Sequence, residues 1–526
     1  MAGGHDAVTR ARAITLALAG VVALWLIALN FGALGAVAWH AEGLTGLRAA
    51  DWAAVRFTLV QALLSALFSV ALAIPVARAL ARRRFRGRGV LITLMGAPFI
   101  LPTLVAVLGL LAVFGRAGLV NDALAVIGLG PVNIYGLHGV VLAHVFYNLP
   151  LATRIILQGW AAIPAERVRL AVSLGFSPAD RLRHLELPML REVAPGAFLL
   201  VFLICLSSFA VALALGGGPR ATTVELAIYQ AFRFDFDMGR AAALALVQFA
   251  LCLGAGVFAL RVALPSGLGG GLDRPLPRME YRPRAAWGDA TLIAATAAFL
   301  LVPLALIVLR GAPHLVGLPV AVWQATLRSL WVALGATALT TGFALVLAHA
   351  ILALPRLGAG ALEWLGLAAL AASPLVIGTG LFLMARPWAD PRDLALAVTM
   401  LVNAGLALPF ALRLILPALR DVAQTQGRLA ASLGVHGLAR LHQITLPRLR
   451  RPLGFAAGLT AALSMGDLGV ILLFAEAERA TLPMQLYRLM QAYRQDEAAG
   501  AALLLLLVSL ALFWVFERWG RRDATA

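Results

Sequence analysis

The chain has 526 residues, of which 61% are hydrophobic and only 13% are charged, and its formal net charge is +18. A soluble protein would carry about twice that charged fraction, so the composition excludes an ordinary soluble domain and indicates an all-α polytopic membrane protein. All 43 basic residues are arginine. They gather in alternate short loops, which is the positive-inside pattern of membrane proteins and not a nucleic-acid-binding surface.

Twelve apolar stretches are each long enough to cross about 30 Å of hydrocarbon as a helix. The first exceeds the core of a signal peptide and lacks a cleavage site, so we interpret it as a retained helix. If the N-terminus is cytoplasmic, most arginines fall on the cytoplasmic side, and both termini are predicted there. The twelve stretches lie roughly at 13–37, 58–80, 90–115, 138–160, 194–216, 240–262, 289–310, 328–353, 363–385, 394–416, 452–474 and 498–517.

One polar, basic stretch occurs twice, at 169–188 and at 428–447, with Ser-Leu-Gly, Arg-Leu and Leu-Pro in register 259 residues apart. The Leu-Pro pairs at 149–150 and 408–409 match at the same offset. A repeat on this scale indicates a doubled unit. Since both copies are predicted to be cytoplasmic, the two halves should run parallel, with a pathway between them.

These boundaries predict an organisation into two bundles. We expect an N-terminal helix (1–53), a first transmembrane domain (54–262) and a cytoplasmic linker (263–288) that is dense in proline and glycine. A seventh helix with an external loop (289–324), a second transmembrane domain (325–518) and a short tail (519–526) follow. The two cysteines lie in apolar stretches and offer neither a disulfide framework nor a cysteine-based metal site.

The first copy of the repeated stretch is predicted to form a helix–turn–helix elbow. Residues 166–174 suit a helix, and Gly175 suits the left-handed residue that ends it. Ser177 and Asp180 have the spacing of a capping box, and Pro188 is expected to stop the second, short helix. One copy alone could be a solvated loop, but two matched copies favour a docking element for a two-fold partner.

The repeated spacing Ala-Ala-x3-Gly-x9-Ile-x-Leu-Pro resembles the cytoplasmic EAA loop in permease subunits of binding-protein-dependent ABC importers. The usual leading Glu is Arg169 or Arg428 here, and Leu185 replaces the Ile of the first copy. The resemblance implies a type I importer permease fold and a loop that fits a groove on an ATPase subunit. The docking positions it implies are Leu170, Ala171, Gly175, Asp180, Leu187 and Pro188, and then Leu429, Ala430, Gly434, Ile444, Leu446 and Pro447.

Within that family, three stretches at 465–470, 481–487 and 493–496 are most similar to permeases for thiamine and its phosphates. The resemblance implies an inner-membrane importer subunit that is not itself an enzyme. A periplasmic binding protein would deliver the substrate, and two cytoplasmic ATPase subunits would bind ATP and magnesium. A chain without lysine cannot carry the Gly-x4-Gly-Lys phosphate loop. A ferric-iron importer permease and, in a different class, a proton-coupled secondary carrier remain alternatives.

Five residues are candidates for the substrate path. Asp467 is the clearest intramembrane charge, and such a charge is a functional candidate by default. It could face an organic cation, or it could be paired internally or cap a break between two glycines. Ser208 is its match in the first half. His144, Asn148 and Asn403 could also line the path, although hydrogen bonds between packed helices are the commoner explanation.

Arg154 and Arg413 match across the halves at the offset of 259 residues. Both lie near the predicted cytoplasmic ends of their spans. Snorkelling to the interface explains them adequately, and a gate or a link to the elbow is the alternative.

Overall fold

The computed structural model describes residues 2–41, 46–96, 100–218, 221–261, 285–367, 373–435, 437–474 and 476–521, and within these ranges every regular element is helical. The predicted linker lies almost wholly outside them. The α-helices are α1 (Ala2–Ile27), α2 (Ala33–His40), α3 (Ala49–Arg82), α4 (Arg88–Leu94), α5 (Thr103–Phe114), α6 (Leu119–Val126), α7 (Leu137–Ala162), α8 (Ala165–Ser173), α9 (Pro178–Arg181), α10 (Leu187–Leu206), α11 (Ala210–Leu215), α12 (Val224–Arg233), α13 (Met238–Arg261), α14 (Ala285–Gly311), α15 (Val320–Ala353), α16 (Arg356–Leu367), α17 (Pro374–Ala385), α18 (Ala395–Ser432), α19 (Gly437–Arg440), α20 (Leu446–Met465), α21 (Gly469–Phe474), α22 (Leu482–Gln491) and α23 (Gln495–Arg521).

Short segments of other helix types join some of these elements. π-Helical turns at Ala28–Gly32, Leu182–Glu186 and Leu441–Thr445 connect α1 to α2, α9 to α10 and α19 to α20. Turns of 3-10 helix lie at Ala312–His314 and Ala477–Arg479.

Eleven helical segments of the described residues are long and apolar enough to cross a membrane. This confirms an all-helical membrane protein, but the predicted span at 90–115 is divided between α4 and α5, and the predicted span at 363–385 is not one helix either. It is divided between α16 and α17, and α17 has only 12 residues. Ser373 caps the start of α17 through the amides of Leu375 and Val376. The apolar length is therefore present, but the backbone is interrupted in the middle of it.

Two equivalent hydrogen bonds show that the halves share one architecture. Thr58 Oγ1 on α3 accepts from the backbone amide of Val224 at the start of α12, at 2.9 Å. Ser329 Oγ on α15 accepts from the amide of Leu482 at the start of α22, at 2.7 Å. The helices α3 and α15 have 34 residues each, α10 and α20 have 20 each, and α12 and α22 have 10 each. The sequence repeat thus corresponds to a structural repeat.

The first helix of each half packs against the core of the other half. Helix α1 lies on α15 and α2 lies on α17, whereas α14 lies on α3 and α5. Gly380 lets α17 pack directly against the backbone of Ala33 on α2. Gly109 does the same for α5 and α14, since a Cβ built on Gly109 would lie 3.0 Å from the carbonyl oxygen of Pro303. Glycines allow such close helix contacts in membranes because no side chain separates the backbones. The exchange ties the two halves together.

Candidate functional site

A cavity of about 410 Å³ lies between the two halves. Its wall on the first half comes from the start of α5, from α7 and from the segment between α10 and α11. Its wall on the second half comes from the equivalent elements around α17, α18 and the turn between α20 and α21. The cavity therefore lies where the repeat predicted a pathway.

All five predicted path residues line this cavity: His144, Asn148, Ser208, Asn403 and Asp467. They come from four segments of the chain that are distant in sequence. Their convergence fits a substrate path, and their role there remains a prediction.

The first-half wall is a chain of neutral hydrogen bonds through His144. Its Nδ1 lies 3.1 Å from Ser65 Oγ on α3, and its Nε2 lies 2.7 Å from Ser208 Oγ. In a neutral imidazole one ring nitrogen donates and the other accepts. A serine hydroxyl can take either role, so the two serines satisfy both nitrogens of a neutral His144. Asn148 Nδ2 donates to the His144 carbonyl and to Cys205 Sγ. The polar groups of this wall are neutral, and its described lining residues include no carboxylate.

The second-half wall differs because it contains Asp467. Asn403 Nδ2 donates to Ser464 Oγ at 2.9 Å, and Asp467 follows at the turn that ends α20. The backbone amides of Gly469 and Val470, at the start of α21, face its carboxylate. Its Oδ2 is buried and has no hydrogen-bond partner among the described residues. The amides are consistent with a capped helix break, and the second carboxylate oxygen is left without a partner among the described residues.

Asp467 is the one acidic or basic side chain other than histidine among the described residues that line the cavity. None of the described lining residues is an arginine, so none of them neutralises its charge directly. The remaining lining is mostly apolar and includes the rings of Tyr147, Phe209 and Phe410. An apolar, partly aromatic cavity with one carboxylate is suited to a small organic cation.

Cys205 and Ser464, which form hydrogen bonds with Asn148 and Asn403, were not among the predicted site residues. The hydroxyl of Tyr147 donates to the Thr103 carbonyl at 2.9 Å, at the first turn of α5. The repeat pairs Ser464 with Cys205 at the offset of 259 residues. That pairing was the signal in the sequence that could have identified both.

The two matched arginines do not line the cavity. Arg154 lies two helical turns beyond Tyr147 on α7, and its guanidinium packs against Gly96. Arg413 is exposed and lies at the corresponding place on α18. The structure therefore separates both from the five path residues, and their role as gate or interface residues remains a prediction.

The first elbow has the predicted turn. Helix α8 ends before Gly175, whose φ of 64° is left-handed. The Ser177 hydroxyl accepts from the Asp180 amide and the Asp180 carboxylate accepts from the Ser177 amide. The second elbow repeats the turn, with Gly434 at a φ of 70°. His436, which stands at the position of Ser177 in the repeat, lies outside the described residues.

The prediction that Pro188 ends a short second helix is wrong, and the chain at Pro447 behaves in the same way. The helix continues through a π-turn into α10, and the amide of Leu187 donates to Leu182 O, five residues back. Leu446 donates to Leu441 O in the same way. The wider turn changes the hydrogen-bond register just before each proline, which has no N–H to donate. Each elbow is therefore continuous with a membrane span.

Equivalent side chains are presented alike by the two elbows. Leu170 is 58% exposed and Leu429 is 61% exposed, while the following alanines, Ala171 and Ala430, are 3% and 1% exposed. The leucines are available to a partner, and the alanines pack beneath them. Leu187 is also exposed on the first elbow, and Ile444 and Leu446 are half-buried on the second.

Comparison with known proteins gives consistent matches. Residues 69–268 match the family described as "Binding-protein-dependent transport system inner membrane component". The chain is 39% identical over 520 residues to the thiamine transport system permease protein ThiP of Salmonella typhimurium, covering 97% of this chain and 95% of that one. It is 40% identical to the proteins of the same name from Brucella abortus strain 2308, covering 96% and 95%, and from Escherichia coli K12, covering 90% of each chain.

Proposed function

Since this chain belongs to the family of binding-protein-dependent transport permeases, we propose that it is the membrane-spanning subunit of an ATP-driven thiamine importer. The observation that carries the proposal is the cavity between the halves with its single carboxylate. Relatives that match nearly the whole chain and bear the name of thiamine permeases support the choice of substrate.

The chemistry of the cavity fits thiamine. Its volume of about 410 Å³ lies within the range of roughly 300–1,000 Å³ that is typical of small-molecule sites. Thiamine carries a fixed positive charge on its thiazolium ring, and Asp467 supplies the opposite charge in a lining whose described residues include no arginine. A carboxylate and a cation attract each other more strongly in such a low-dielectric site than in water.

Other lining residues, from both walls, suit the rest of the molecule. The aminopyrimidine ring of thiamine has hydrogen-bond donors and acceptors, and Ser208, Asn148 and Asn403 offer both at the lining. Tyr147 and Phe410 supply ring faces against which an aromatic cation can pack. Contacts from both halves mean that relative movement of the halves would change the affinity for the substrate.

The two elbows are proposed to receive two cytoplasmic ATPase subunits. Their matched leucines and matched left-handed glycines present two similar surfaces, which suits a two-fold partner. ATP and magnesium would bind to those subunits, and this chain would hydrolyse nothing itself. A periplasmic binding protein would deliver the substrate at the opposite face.

We propose that the chain lies in the bacterial inner membrane with both termini in the cytoplasm. The arginine-rich loops and the elbows then lie on the same side, as the positive-inside rule requires. The eleven candidate spans of the described residues, together with the interrupted segment containing α17, form the part within the bilayer.

Reconstitution tests the proposal. The chain would be purified with its ATPase and placed in proteoliposomes, and ATP hydrolysis and uptake would be measured with its binding protein loaded with thiamine. We expect thiamine-loaded binding protein to stimulate both. Stimulation by ferric-loaded protein alone would overturn the substrate, and uptake driven by a proton gradient without ATP would overturn the class of transporter.

A further inference from the structure

The first elbow is separated from the span that precedes it. Helix α7 ends at Ala162, Ile163 is extended with ψ of 122°, and Pro164 starts α8 with ψ of 135°. A residue before proline is pushed out of the helical region, and proline itself cannot donate to the preceding turn. A push on α8 therefore reaches α7 through a non-helical joint.

The second elbow has no such joint. Val422 and Ala423 occupy the positions of Ile163 and Pro164 in the repeat, and both lie within α18, which runs unbroken from Ala395 to Ser432. This span and the first arm of its elbow form one helix. The two halves therefore differ in how an elbow is joined to its bundle.

A buried ion-pair cluster joins the other arm of the first elbow to α3. Glu186, at the end of the π-turn, is 1% exposed. Arg78 Nε on α3 lies 2.7 Å from its Oε2, and Arg82 Nη2 lies 3.4 Å from its Oε1. Two arginines one helical turn apart thus hold one elbow carboxylate, and α3 is the longest helix of the first half.

The matching positions of the second half lack these charges. Thr445 replaces Glu186 and is also buried. The equivalence of Thr58 and Ser329 aligns α3 with α15, which places His349 where α3 has Arg78 and Ala353 where it has Arg82. His349 Nδ1 pairs locally with the Leu345 carbonyl. The ion pairs of Glu186 therefore occur in the half where the helix is broken between span and elbow. The matching positions lack them in the half where that helix is continuous.

We propose that Glu186 is a positioning residue that transmits movement from the first elbow to α3, in place of the helical continuity that the second elbow has. The proposal rests on the elbows receiving the ATPase subunits. Glu186 acts through Arg78 and Arg82 and touches neither nucleotide nor substrate. Its loss should uncouple hydrolysis from transport and leave the ATPase bound.

The test measures thiamine transported per ATP hydrolysed in proteoliposomes with the ATPase and the loaded binding protein. For Glu186→Gln we expect this ratio to fall by about two- to thirtyfold, the range over which residues along a coupling path change it. ATP hydrolysis per assembled complex should stay within about twofold. The matched control is Glu517→Gln on α23, away from both elbows, where Glu517 pairs with the exposed Arg521; its ratio should not change.

A second-site variant separates coupling from simple stability. Pro164→Ala gives the first half the residue that the second half has at this position, and so permits a continuous helix. We expect Pro164→Ala to restore most of the lost ratio in the Glu186→Gln background. If Glu186→Gln does not accumulate, the triple change Arg78→Gln, Arg82→Gln and Glu186→Gln removes the cluster without leaving unpaired charge, and the same measurements apply.

Either of two results would overturn the proposal: a ratio for Glu186→Gln equal to that of Glu517→Gln, or no restoration by Pro164→Ala. A wild-type complex stimulated by a different ligand would instead overturn the thiamine assignment. The ratio would then be measured with that ligand, so the two failures are distinguishable.

Discussion

His144 Nε2 and Ser208 Oγ lie 2.7 Å apart in the wall of the cavity. At the matched positions, 259 residues later, the second half has Asn403 and Asp467. An imidazole–hydroxyl pair in one half therefore corresponds to an amide and a carboxylate in the other. Because the two halves share one backbone arrangement, the charge difference between the walls comes from these side chains and not from the fold.

Asp467→Asn should lower thiamine uptake by about tenfold or more, because a charged hydrogen-bonding partner contributes about 1.5–3 kcal/mol to a contact. The amide keeps the shape of the side chain and removes its charge. Uptake of labelled thiamine at several concentrations measures the effect. Asp496→Asn, at an exposed site beside His314, is the control, and equal uptake by both variants would contradict the assignment of Asp467.

His144→Asn should retain more uptake than His144→Leu. Asparagine is the residue at the matched position of the second half, and it can still bond to Ser65 or Ser208, whereas leucine leaves both hydroxyls without this partner. A buried hydroxyl that loses its partner costs about 1–3 kcal/mol. Uptake per molecule in the membrane, compared between the two variants, tests the order, and the reverse order would show that the hydrogen bonds are unimportant.

Leu170→Cys and Leu429→Cys should form crosslinks to the ATPase with a short thiol-reactive reagent. Their side chains are exposed on matched elbows, and the chain's own cysteines, Cys205 and Cys252, are buried and give little background. Ala171→Cys is the control, because Ala171 packs beneath the surface. Gel mobility after crosslinking reports the result. Crosslinks at Leu170 without any at Leu429 would argue against equivalent docking of the two elbows.

Gly380→Ala should lower the thermal unfolding temperature in detergent. A methyl group there would meet the backbone of Ala33, so α2 and α17 must move apart, and overpacking of this kind costs typically about 1–3 kcal/mol. Gly342→Ala, where a Cβ meets nothing within 4 Å, is the control and should be neutral or slightly stabilising, since alanine favours a helix. Equal unfolding temperatures would show that the exchanged helix is loosely packed.

Several features of the site could be predicted from the sequence because they depend on local or periodic properties. The left-handed turns at Gly175 and Gly434 follow from glycine's freedom at positive φ. The pairing of Ser208 with Asp467 follows from the repeat offset. The continuity of the helix past Pro188 could not be predicted in this way, because a π-turn is one of several ways in which a backbone can accommodate a proline.

The sequence by itself determined that this is a doubled helical membrane protein with two elbows, since hydropathy, arginine placement and an in-register repeat are properties of residues along the chain. Only the tertiary structure decided which helices the two halves exchange, which side chains meet in the cavity, and that Glu186 pairs with Arg78 and Arg82. Those contacts join residues that are far apart in the chain. Their energies come from packing and desolvation, which neither composition nor spacing encodes.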